Sequence, residues 1–76
     1  MMITEIGSVN AENVQSDVFG RGQIDIQTKN DQQILVVMKI KGAPHVRQIT
    51  VLTRDAALKL IGLLVNAVDR LEQLGV

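Results

Sequence analysis

His45 is the chain's single imidazole, and there is no cysteine. Acyl or phosphoryl transfer needs a nucleophile beside a base, two opposed carboxylates, or a metal. His45 follows Pro44 in a turn-forming stretch with no acidic cluster around it, too few ligands for a zinc site. Asp69 and Glu72 belong to a polar helix face, and Asp25 and Asp31 lie on or beside a hairpin. Gly20-Arg21-Gly22 leads into a strand, whereas a phosphate-cradling glycine loop leads into a helix. The expectation is a protein that is not an enzyme, with no catalytic residue, metal or cofactor.

Anion binding is the other chemistry on offer. Net charge is zero, but residues 1–20 hold Glu5, Glu12 and Asp17 with no cation. Residues 21–54 hold six cations against Asp25 and Asp31. Lys39 and Lys41 are two apart, hence on one strand face, with Arg47 across a turn, His45 at its tip and Arg54 further on. These five form a candidate anion-binding set for nucleic-acid phosphates. Single-strand binders also stack bases on aromatic rings, and here Phe19 is the only aromatic residue. Ordinary solubilising charge and a phosphate-binding patch both stay open.

The elements that would position these groups read as an antiparallel β-meander followed by a helix. In residues 1–22, Ile3, Ile6 and Val9 suggest a short strand, and Asn10 a cap for a helical turn over Ala11 to Val14. The same residues also read as a mobile arm, hinged at Gly20-Arg21-Gly22. From Gln23 to Thr28 polar and apolar residues alternate, the mark of a strand with one wet face. Lys29 to Gln32 predicts a hairpin turn. Gln33 to Lys41 begins apolar on both faces, as a central strand does. Gly42 to His45 predicts a second turn, and Val46 to Leu52 a further strand. Thr53 then caps a helix, with Asp55 favourably placed in its first turn.

That helix, Thr53 to Leu74, carries more apolar surface than one small sheet covers. At about 100° per residue, Asp55, Lys59, Gly62, Asn66, Asp69, Arg70 and Gln73 share one narrow stripe. The remaining arc is apolar over roughly 220°, about double the usual stripe. Leu58, Ile61, Leu64, Val65, Val68 and Leu71 are therefore the candidate oligomer interface. Gly62 marks either close approach of a second helix or a tolerated polar edge.

Size points the same way. Seventy-six residues make one domain, 1–76. Cores this small supply no more than about 3–5 kcal/mol, and are usually reinforced by disulfides, a metal or association. Association is the route left, most simply as a homodimer. The lack of cysteine, of a basic leader and of a membrane-length apolar run predicts a cytoplasmic protein without membrane partners.

Arg47-Gln48-Ile49-Thr50-Val51-Leu52-Thr53-Arg54-Asp55-Ala56-Ala57 resembles BssS, the small enterobacterial biofilm-regulator family. In that family a strand ends in Leu-Thr, and Asp and Ala open a C-terminal helix. Leu52, Thr53, Asp55, Ala57, Ile61 and Leu64 occupy those places here. Asp25-Ile26-Gln27-Thr28 is similar to the family's Asp-Ile-x-Thr before its hairpin. The resemblance spans Gly22 to Gly75, without the family's aromatic residues. It implies a non-enzymatic regulator of biofilm or signalling, with no site residues to transfer. The order of elements is also similar to the single-stranded-DNA-binding transcriptional coactivators, whose C-terminal helix dimerises.

The sequence thus predicts an α+β fold: a three- or four-stranded meander and a C-terminal helix packed on it, oligomeric. The expected function is a small regulatory or adaptor protein acting through self-association and protein contacts, of bacterial or phage kind. A nucleic-acid-binding regulator using the basic strand ends is the alternative.

Overall fold

A computed structural model describes residues 1–15, 18–40 and 43–75, with side chains for all of these except 13–15, 18–21 and 43–46. Among the described residues the order is β1 (Ile3–Gln15), β2 (Val18–Lys29), β3 (Gln33–Ile40), β4 (Ala43–Leu52) and α1 (Arg54–Gln73). The strands form one antiparallel sheet in chain order, β1-β2-β3-β4. The α+β meander with a C-terminal helix is the architecture read from the sequence.

The β2–β3 turn is set by Asn30 (φ 53°) and Asp31 (φ 54°), both left-handed. Two positive φ values in a row match the twist of a tight hairpin, and Asn and Asp tolerate that region best after glycine. The Gln32 N–H donates to the Lys29 carbonyl at 3.1 Å. Asn30 also ties down the chain start. Its N–H donates to the Met2 carbonyl at 2.8 Å, and its Oδ1 accepts from the Met2 N–H at 2.9 Å.

That turn fixes the register of the central pair. Gln23 faces Lys39, Asp25 faces Val37 and Gln27 faces Leu35. On β4, Arg47, Ile49 and Val51 extend those rows. Directly opposed residues share a face. One face therefore carries the rows Gln23–Lys39–Arg47, Asp25–Val37–Ile49 and Gln27–Leu35–Val51. The other carries Ile24–Met38–Gln48, Ile26–Val36–Thr50 and Thr28–Ile34–Leu52.

The strand suggested by Ile3, Ile6 and Val9 is present as the start of β1, but the rest of residues 1–22 differs from expectation. Asn10 to Val14 form no helical turn; they lie in β1 and pair with Gln23 to Phe19. Gly20-Arg21-Gly22 is likewise no hinge but part of β2. Backbone pairing along β1 satisfies donors that a single helical turn would leave open. The register shifts between Glu5 and Gly7, leaving Ile6 as an extra, exposed residue. Beyond Gly22, where β3 ends its pairing, β1 and β2 continue as a two-stranded ribbon to Gln15 and Val18.

The second turn is also shorter than expected, because Ala43, Pro44 and His45 belong to β4; Gly42 lies outside the described residues. α1 starts where Thr53 predicts: its hydroxyl oxygen accepts from the Ala56 N–H at 3.2 Å. At the other end Gly75 takes φ 73° and its N–H donates to the Glu72 carbonyl.

The helix is not packed across the sheet. It meets β3 and β4, but none of its residues is buried. Leu35 and Val37 are the only hydrophobic residues among those described that are closed off from water. The radius of gyration is 14.3 Å, against about 11.4 Å for a compact domain of this length.

Candidate functional site

The basic residues divide into two places. Lys39 and Arg47 are cross-strand neighbours near the end of β3 where its pairing with β2 stops. Lys39 Nζ forms an ion pair of 2.6 Å with Asp25 Oδ2, and Gln23 Nε2 donates to Asp25 Oδ1 at 2.6 Å. The Asp25 side chain is only 2 % exposed. It sits diagonally from Lys39 across the strand pair, so the lysine stem and the Gln23 amide close over it. Hydrogen bonds from Lys39 and then Gln23 hold the Asp25 carboxyl below its ordinary 3.8, outweighing the opposing effect of desolvation. Arg47 is exposed.

Arg54 is elsewhere. From Arg47 to Leu52 the strand rises about 3.3 Å per residue, which carries Arg54 to the opposite end of β4. There it lines an open recess of about 300 Å³ with Thr28, Asp31, Gln32, Gln33 and Ile34. Lys41 and the His45 side chain lie outside the described residues. The structure thus brings Lys39 and Arg47 together and separates both from Arg54.

Asp25 was missed as a partner for Lys39, although the sequence contained the signal. Folding the chain about Asp31, the middle of a three-residue turn, sets Gln23 opposite Lys39 and Asp25 two pairs further in, on the same face. Among the described residues, no three His, Cys, Asp or Glu side chains come close enough together to hold a metal. No helix of these residues is long and apolar enough to cross a membrane.

The largest organised surface is α1. Leu58, Ile61, Leu64, Val65, Val68 and Leu71 are each 50 % exposed or more, and Leu60 is 40 %. Ile49 and Val51, on one face of β4, are about equally open. The chain exposes 6371 Å². A compact monomer of 8.3 kDa exposes about 4,600 Å², so this protomer shows roughly 1,800 Å² more. The leucines, isoleucines and valines of α1 lie side by side in that open surface, and a contiguous exposed apolar patch marks a contact surface. No protein-family model, curated protein or solved structure matches the chain.

Proposed function

We propose that this is a small non-enzymatic regulatory or adaptor protein that works through self-association and protein contacts. The observation that supports it is the continuous apolar arc of α1, left open while, among the described residues, Leu35 and Val37 are the hydrophobic side chains closed from water. Two buried hydrophobic side chains contribute about 1.5–3 kcal/mol each, too little to hold a domain against chain entropy. The fold is therefore completed by another chain. The resemblance to biofilm regulators points the same way. Such a protein is expected in the cytoplasm, with its sheet free for a second partner.

Multi-angle light scattering at micromolar concentration tests this. The expected result is a multimer, and a stably folded single subunit would overturn the reading. A salt titration with single-stranded and duplex DNA separates the alternative. Phosphate binding through Lys39 and Arg47 would weaken steeply as salt rises. The reading proposed here expects no retention even at low salt.

A further inference from the structure

α1 carries two apolar seams side by side. Ala57, Leu60, Leu64, Ala67, Leu71 and Leu74 recur at alternating steps of three and four, the spacing that keeps a row facing one neighbouring helix. Leu58, Ile61, Val65 and Val68 repeat that spacing one position later, and Glu72 stands where the next member would be. A one-residue offset turns the second seam by about 100° from the first. Each helix of a four-helix bundle meets its two adjacent neighbours at about that angle, near 90°.

Both seams are open, since every leucine, isoleucine and valine in them is at least 40 % exposed. The surface excess of roughly 1,800 Å² per protomer also matches need. Obligate homo-oligomers bury about 1,000–2,500 Å² per protomer.

Resting on the self-association proposed above, we infer that α1 packs against α1 of two other copies, so that four chains share one helical bundle. The long seam through Leu64 and Leu71 makes a pair. The shorter seam through Ile61 and Val65 joins two pairs, in the closed symmetry common among tetramers. Glu72 ends the short seam and keeps the second contact the weaker one.

Light scattering on the full chain reads the copy number directly. The expected mass is four times the 8.3 kDa protomer. Ile61→Glu with Val65→Glu should halve that mass while helical circular dichroism is retained, and Lys59→Glu on the polar stripe should leave it unchanged. Because the natural chain has no cysteine, thiol cross-linking gives a second measurement that does not depend on a disruptive change. Leu64→Cys, oxidised with diamide, should run as a covalent dimer. Leu64→Cys with Val65→Cys should extend to species of four chains. A dimer in the wild type, or full mass in the Ile61→Glu/Val65→Glu variant, would overturn the bundle and leave self-association standing. So would dissociation by Ile49→Lys with Val51→Lys while the helix variants stay assembled, since the helix would then be covered by a partner's sheet. A folded monomer would remove both proposals together.

Discussion

At the middle of the β2–β3 pair, Leu35 and Val37 are buried, and buried Asp25 has both carboxylate oxygens occupied. Along α1, a far larger set of leucines, isoleucines and valines is arranged with equal regularity, and none of them is buried. The difference teaches where the folding information ends. Register, turn and polar pairing of the sheet are complete within one chain. The helix is locally complete, with cap and terminus satisfied, yet no residue of its packing surface is buried in the protomer.

The strongest way to break that contrast is to remove one side chain from each region. Leu35→Ala should cost about 2–5 kcal/mol and lower the thermal midpoint by a similar amount at every protein concentration. Leu64→Ala removes the same group from a half-exposed position. Its cost should show instead as a midpoint that no longer climbs with concentration as the wild type's does. Equal concentration profiles for the two variants would erase the distinction.

A smaller effect tests whether the sheet's register comes from its turn. Asn30→Val forces a β-branched residue into the left-handed region, costing about 1–2 kcal/mol, and removes the acceptor for the Met2 N–H. Asn30→Gly restores the backbone freedom but not that acceptor, so it should lie between wild type and valine. Chemical denaturation midpoints in that order would support the assignment.

Thr53→Ala tests the helix alone. Losing the hydroxyl that accepts from Ala56 should cost about 1 kcal/mol, visible as reduced helical signal at low protein concentration and recovered at high concentration. The least effect is expected from acid. A carboxyl held below its ordinary 3.8 stabilises the fold above that pH and loses its contribution as pH falls through the depressed value. The sheet should therefore be insensitive to pH from neutral down to about 4 and weaken below it. Asp25→Asn should flatten that acid limb.

Much of this architecture was legible. The strand at Gln23 to Thr28, the polar turn after Lys29, and the cap at Thr53 followed by Asp55 rest on short-range signals, and each element is realised at its position. The facing of the strand is not, because the side expected to be wet carries buried Asp25 beside Val37, while Ile24 and Ile26 are only half-buried. Residues 1–22 were legible only in their opening strand, for a local reason. Ile3, Ile6 and Val9 are spaced by three, which breaks the period of two that a regular strand shows. The bulge at Ile6 is what reconciles that spacing with continuous pairing to β2. The helix stands where it was read and meets β3 and β4, but it buries no residue against them. An apolar arc announces that a helix must be covered but carries no information about which surface covers it, so packing on its own sheet was a default. Of the basic set, Lys39 and Arg47 meet as the sequence placed them, near one end of the β3–β4 pair, whereas Arg54 follows the other end of β4 because the length of that strand separates it from Arg47.

An open sheet of four strands leaves two unpaired borders, β1 and β4, each a template on which further strands can polymerise without limit. The extra residue at Ile6 interrupts the regular backbone of the β1 border. A bulge of this kind is one of the devices by which natural sheets discourage edge-to-edge growth, so on the self-association proposed above a closed assembly is expected rather than a fibre.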